Sequence, residues 1–227
     1  MISDYEILVK NFMNHMYESS WEANIVEGNV DANINDIFDY VKRVNMVPVS
    51  DYIDYIYSEI KRQPILAADV FQFSDLGDAL FRVCAEVEKV GNPGLNFKHI
   101  GKLLLNDGNE RTDVAFNKYG ENHIKVAEML GLAFKHNGLF YISSIGVCIN
   151  RLAPDDRHKI ITRLILRNKL ISQMLIASKQ PLNLESFLYD LSKSTYLRRR
   201  TNIRQILGLL SDSEEYDFSY FLNNIIY

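Results

Sequence analysis

The dipeptide Asn137-Gly138 constrains this chain more than any other two residues. It stands between Ala133-Phe134-Lys135-His136 and Leu139-Phe140-Tyr141-Ile142-Ser143. Such a pair between apolar, aromatic flanks predicts a hairpin, because both central positions of the favoured two-residue turn need φ > 0. Three helical patterns lead up to it. Residues 76–90 are amphipathic and stop at Gly91-Asn92-Pro93-Gly94. Asn96 can cap a helix over 97–105, and after the polar loop 106–109 a third helical stretch ends over 118–132. Helix, helix, helix, hairpin is the order of a winged helix-turn-helix.

The stretch beyond repeats this logic. Pro154-Asp155-Asp156 opens a basic helix with Ile160, Ile161, Leu164 and Ile165, and 170–177 forms another. Gln180-Pro181-Leu182-Asn183 is a break with a cap, 184–191 a short helix, and Ser194-Thr195 starts a helix over 196–210. The pattern is a second helix-turn-helix whose wing is short or missing. Upstream, Tyr5, Leu8, Phe12, Met13 and Met16 make one helical stripe, and Ile34, Ile37, Phe38 and Val41 another that ends at Pro48. Ser50-Asp51 then caps a helix running to Gln63, before Pro64.

The expected fold is therefore mainly α: tandem winged helix-turn-helix units with a short β-hairpin wing, preceded by a helical N-terminal region. Residues 1–70 form that region, for docking or dimerisation. A winged helix follows over 75–152 with its hairpin at 133–143, then a basic helix-turn-helix over 153–211 and an acidic tail over 212–227. The length of 227 residues allows one large domain or two small ones.

Charge separates these segments. The net charge is -4, yet residues 157–211 hold 11 Lys/Arg against two acids, Glu185 and Asp190. Residues 1–70 hold five Lys/Arg against 12 Asp/Glu, and 212–227 hold four acids and no base. A field decays over about 8 Å in physiological salt, so the basic segment presents itself to a polyanion whatever the whole-chain charge. The alternative is a solvated surface that pairs with the chain's own acids.

Other chemistries find little support. Cys84 and Cys148 stand far apart and outside any C-x-x-C pair, which argues against a disulfide framework or a thiolate zinc site. The five histidines form no metal-ligand spacing, so no metal and no cofactor is expected. Glu59-x-Lys61, with Asp51 and Asp54 upstream, has the spacing of a nuclease motif. That motif needs strands, and this segment reads as helix, so catalysis is not expected. The N-terminus lacks a basic signal region, and the apolar stretch 160–177 is broken by Arg163, Arg167 and Lys169. The expected location is the cytoplasm, with no membrane partner.

On a helix over 196–210, Tyr196, Ile203, Ile206, Leu207 and Leu210 fall on one side, and Arg198, Thr201 and Gln205 fall opposite. Asn202 and Arg204 lie on the flanks, and Arg199 and Arg200 near the core side at the helix start, where phosphate contacts are the natural role. Arg pairs bidentately with guanine, and Asn or Gln with adenine, in a major groove wide enough for a helix. In the first unit the outward candidates are Asn122, Lys125 and Glu128, with Lys135 and His136 on the wing; Glu128 would repel phosphate, which suits a scaffold.

The residues Asn117-Lys118-Tyr119-Gly120, Ala127-Glu128-Met129-Leu130-Gly131-Leu132 and Asn137 through Gly146 together resemble a winged-helix unit of restriction-modification proteins. In that unit a helix ends A-x-x-L-G-L, followed by a hairpin and Y-x-L-T-x-x-G. The order is similar to that of the recognition subdomains of type IIS restriction enzymes such as FokI. The later run Leu197 to Leu207 resembles the basic recognition helix found downstream in such proteins. The resemblance implies non-catalytic, sequence-specific binding of double-stranded DNA as the target-recognition subunit of a restriction or phage-defence system. The acidic N-terminal helices would then dock a nuclease or methyltransferase, or pair with themselves. A winged-helix transcriptional regulator and a protein-interaction adaptor are the alternatives.

Overall fold

The helical periodicity of the first 70 residues becomes four helices in the computed structural model, which describes residues 4–227: α1 Asp4–Met13, α2 Ser19–Val26, α3 Ile34–Met46 and α4 Val49–Glu59. A π turn, Asp78–Arg82, runs directly into α5 Val83–Lys89, followed by α6 Phe97–Leu104 and α7 Asp113–Met129. The hairpin β1 Ala133–His136 and β2 Leu139–Ile142 leads to α8 Ser144–Ile149. Beyond it come α9 Pro154–Arg167, α10 Lys169–Ala177, β3 Leu182–Asn183, α11 Leu184–Phe187, α12 Lys193–Ser211, α13 Ser219–Asn223 and β4 Ile225–Ile226. The chain is mainly α, and none of its described helices is long and apolar enough to cross a membrane.

Two compact units interleave along the sequence. One comprises Met1–Tyr17, Arg43–Phe71 and His158–Tyr227, the other Glu18–Lys42 and Gln72–Arg157. This differs from the serial partition expected: residues 1–70 are shared between both units. Apolar burial accounts for the part of them that joins 72–157. Trp21 and Ile25 of α2 are buried, and the Trp21 ring meets Tyr40 edge-on at 5.5 Å.

In the unit containing 72–157, α6 and α7 cross at two glycines. A Cβ on Gly101 would lie 1.8 Å from the Phe116 carbonyl oxygen, and one on Gly120 would lie 1.9 Å from that of Phe97. No other residue permits this approach. Asn96 and Thr112 cap the two helices through His99 N–H and Ala115 N–H. The hairpin forms at Asn137-Gly138, both at positive φ, pairing Ala133 with Ile142 through His136 with Leu139. Leu95, just ahead of α6, adds an antiparallel bridge to Phe140. The order is thus helix, bridge, helix, helix, hairpin.

A polar network holds the π turn to α7. Asp75 caps it by accepting from Asp78 N–H at 2.8 Å, and the Asp78 carboxylate accepts from Tyr119 Oη at 2.8 Å and from Arg82. His123 is wholly buried, with Nδ1 2.7 Å from the Tyr119 carbonyl and Nε2 facing Ser74 Oγ and Asp75 N–H. That pattern fits a neutral ring donating from Nδ1, and burial lowers its pKa accordingly.

In the other unit the α1 stripe is only half right. Leu8, Phe12 and Met13 are buried, whereas Tyr5, in the first turn of α1, and Met16 are exposed; α1 ends at Met13 and His15 turns the chain at φ 55°, which takes Met16 out of the stripe. Helix α4 starts after Pro48, so Ser50 lies in its first turn and caps nothing. It ends at Glu59, short of Gln63. The amide of Gln173 explains this: it accepts from Gln63 N–H at 2.8 Å and donates to the Lys61 carbonyl at 2.9 Å, holding the segment out of the helix.

The same unit corrects two readings of charge. Arg163 and Arg167, counted with the basic surface, are buried. Arg163 donates to the carbonyls of Val44, Asn45 and Val47, which satisfies the otherwise orphaned C-terminal end of α3. Arg167 reaches the Phe12 carbonyl and lies 4.7 Å from the Phe12 ring centroid. The expected acidic tail is folded as well. Phe218, Phe221 and Ile225 are buried, and β4 pairs in parallel with β3 through Leu182–Ile225 and Asn183–Ile226. Its apolar residues decide its position, and its charges sit between them.

Candidate nucleic-acid interface

Helix α12 starts at a side-chain cap, the Ser192 hydroxyl accepting from Thr195 N–H. Its buried residues are Tyr196, Ile203, Ile206, Leu207 and Leu210, the five that the 100° periodicity places on one side. With that face against the core, Arg198, Thr201 and Gln205 stand opposite and are exposed. The 21 residues from 191 to 211 contain no Asp or Glu.

The remaining candidates on α12 have partners within the unit. Arg199 is half-buried; its Nη1 donates to the Ala67 carbonyl and, at 3.2 Å, to that of Val70. Burial, then the Arg198 charge, lowers its pKa. Arg200 is half-buried over the Tyr196 ring at 5.9 Å, and Asn202 is also half-buried. Arg204 is exposed but lies flat on the Tyr227 ring, 4.1 Å from its centroid. Arg198 makes only long local contacts, to the Ser194 carbonyl at 3.4 Å and Thr195 Oγ1 at 3.5 Å, geometry near the limit of a hydrogen bond. The guanidinium best disposed to leave its place for a ligand is therefore Arg198.

Asn122, Lys125 and Lys135 belong to the other unit. Lys125 is exposed on α7 and pairs with Glu121 at 2.8 Å, where Lys118 also binds at 3.0 Å. These two lysines, Lys125 first, hold the Glu121 carboxyl below its usual range. Asn122 is half-buried, and Lys135 is exposed on β1, its Nζ 5.7 Å from the Phe140 ring centroid. Glu121 leaves this face nearly neutral, whereas α12 has no acid of its own.

Glu59 ends α4, Asp51 and Asp54 lie on the same helix, and Lys61 lies beyond it. Among the described residues no three His, Cys, Asp or Glu side chains are grouped to hold a metal ion. The sequence reading missed what these acids do form. Glu6, Ile7, Val9, Lys10, Asn11 and Met16 of the α1 region and Asp51, Asp54, Tyr55, Ser58 and Glu59 of α4 line one cleft of about 750 Å³. The signal was available in the absence of any Lys or Arg from 44 to 60. Compared with family models, curated proteins and solved structures, the chain matches none.

Proposed function

We propose that this chain is a non-catalytic, sequence-specific double-stranded DNA-binding protein, the target-recognition subunit of a restriction or phage-defence system. The observation that carries the reading is the outward face of α12, where Arg198, Thr201 and Gln205 are exposed at helical spacing on an acid-free segment. A helix of this kind enters the major groove, where Arg reads guanine and Gln reads adenine. Arg204 stands at the edge of that face, suited to a phosphate.

The element order supports it. Helix, bridge, helix, helix and hairpin follow in the order that a winged helix requires over 78–142, and in this reading α7 is the recognition helix. In the other unit α10, β3, α11 and α12 repeat the order, and β4 returns beside β3 in place of a hairpin. The assignment to a restriction or phage-defence system rests on the sequence resemblance, since one fold hosts many functions.

Fluorescence anisotropy with a randomised duplex pool across a salt series tests the proposal. Wild type is expected to bind with a steep log–log salt slope and to enrich a defined sequence on repeated selection. An asymmetric footprint agrees with target recognition, and a palindromic one with a regulator. No binding at low salt would overturn the DNA reading.

A further inference from the structure

Two segments of one unit carry charge of a single sign, and each exposes part of it: Asp54 and Glu59 on one, Lys193, Arg198 and Arg204 on the other. Residues 44–60, which include α4, hold Asp51, Asp54 and Glu59 and no base; residues 191–211, which include α12, hold five Lys/Arg and no acid. The acids of α4 join Glu6 of α1 around a cleft of about 750 Å³, with Lys10 as the one cation among its lining residues. The cleft is also apolar. Ile7 is 48% and Met16 58% exposed at its edge, large aliphatic side chains left uncovered. On α12 the exposed face repeats this composition with the sign reversed: Lys193, Arg198 and Arg204 surround Leu197, itself 46% exposed.

We propose that the exposed face of α12 docks into the α1/α4 cleft of a second copy of this chain, joining the molecules head to tail. Leu197 meets Ile7 and Met16, and Arg198 and its neighbours meet Asp51, Asp54 and Glu59. Each ion pair adds little affinity singly, but several together, with the long-range attraction between opposite charges, bring the association above threshold at low salt, and removal of the aliphatic groups from water adds to it. One helix face in one cleft is smaller than a standard interface of roughly 1,200–2,000 Å², so the association is weak and salt-sensitive. The contact uses two different surfaces, so each added molecule offers a further cleft, and growth continues until a ring closes or as an open chain. It covers Arg198 and Thr201, and so competes with DNA wherever DNA binds there. The self-association itself does not depend on the DNA reading.

Sedimentation equilibrium of the full chain, without DNA, tests it. The wild-type average mass is expected to rise beyond a dimer with concentration up to about 1 mM in 50 mM salt, and to return to the monomer in 0.5 M salt, where the screening length is only a few ångströms. A cleft variant, Asp51→Lys with Asp54→Lys, and a helix variant, Leu197→Ser with Arg198→Ser, are each expected to remain monomeric. Mixed in equal amounts they are expected to form a dimer and stop there, because one retains the helix face and the other the cleft. Circular dichroism melting of each variant confirms that it is folded, and the wild-type salt response needs no variant at all. A wild type that stays monomeric at low salt overturns the proposal and leaves the cleft to a basic amphipathic helix of a different protein. Variants that still associate, or a mixture that does not, overturn it equally.

Discussion

Arg163, buried, and Glu215, at the surface, form an ion pair, Nη1 to Oε2 at 2.6 Å and Nη2 to Oε1 at 3.1 Å, across 52 residues of sequence. The arginine side chain has no exposed surface, and its N–H groups also face the carbonyls of Val44, Lys159, Asn45 and Val47, the two Nη2 protons being shared among three acceptors. One guanidinium thus caps α3 and fixes the chain beyond α12. Arg163→Met leaves those buried carbonyls without their donor and is expected to cost about 3–5 kcal/mol, roughly 1 kcal/mol for each. Glu215→Gln keeps every carbonyl satisfied and is expected to cost less, about 1–2 kcal/mol. Urea unfolding of both variants measures the difference, and equal losses would show that the pair, and not the carbonyl cap, holds this region.

The α12 arginines divide between stability and binding, and two single substitutions separate them. Arg198→Ala removes an exposed cation with only long local contacts, so the melting temperature is expected to stay unchanged. Duplex affinity is expected to fall by about 1–3 kcal/mol if Arg198 reads a base, or the salt slope to lose about one unit if it meets a phosphate. Arg199→Ala frees the Ala67 and Val70 carbonyls and is expected to lower stability by about 1–2 kcal/mol, with DNA affinity of the folded protein retained. Calorimetry beside anisotropy reads both. A loss of binding in the Arg199 variant alone would sink the assignment of Arg198.

These contrasts mark how much of the site was legible in the sequence. The five buried positions of α12 follow from the 100° periodicity, and so does the opposite stripe of Arg198, Thr201 and Gln205. The hairpin follows from Asn137-Gly138, and the caps at Asn96 and Asn183 from residue type. Charge counting failed where a cation works inside the fold. Arg163 sits in the run Ile160 to Leu166, whose apolar neighbours hold it in the core, and apart from the Lys159 carbonyl its acceptors lie 52 to 119 residues away. The same limit hid the β3–β4 pairing, only two residues long, and the Tyr119–Asp78 bond, 41 residues apart. Periodicity reports which face is buried; it does not report what lies against that face.

Two buried groups set opposite pH limits. The Glu22 carboxyl on α2 is pushed up from 4.5 to about 7, mainly by burial and against the Ser144 N–H, 3.4 Å from its Oε1. The folded state therefore holds this proton more tightly than the unfolded chain. Its stabilisation is complete below pH 4.5 and is lost as pH rises to about 7. Glu22→Gln is expected to raise stability by about 1–2 kcal/mol at pH 8 and to leave it unchanged at pH 4. His123 works in the other direction: its pKa is lowered from 6.5, so stability declines as pH falls below that value. Urea midpoints of wild type and Glu22→Gln between pH 4 and 8 test the pair. The acidic decline should persist in the variant while the decline toward pH 8 disappears.

The α6/α7 crossing gives the sharpest contrast between two glycines. A Cβ at Gly120 would lie 1.9 Å from the Phe97 carbonyl oxygen and 2.6 Å from the Gly101 amide nitrogen, both backbone atoms that no rotamer change can move. At Gly208, within α12, a Cβ meets nothing within 4 Å. Alanine is the better helix former at either site by about 0.8–1.0 kcal/mol, so helix propensity alone predicts that both substitutions stabilise. Packing reverses the sign at one of them. Gly120→Ala must push α6 off α7 and is expected to destabilise by about 3 kcal/mol or more, at the upper end of core overpacking. Gly208→Ala keeps its gain of about 0.5–1 kcal/mol. Thermal and urea unfolding of the two variants decide it: if Gly120→Ala stabilises the protein as Gly208→Ala does, the two helices do not meet at backbone distance, and the position of α7 behind Asn122 and Lys125 would have to be redrawn.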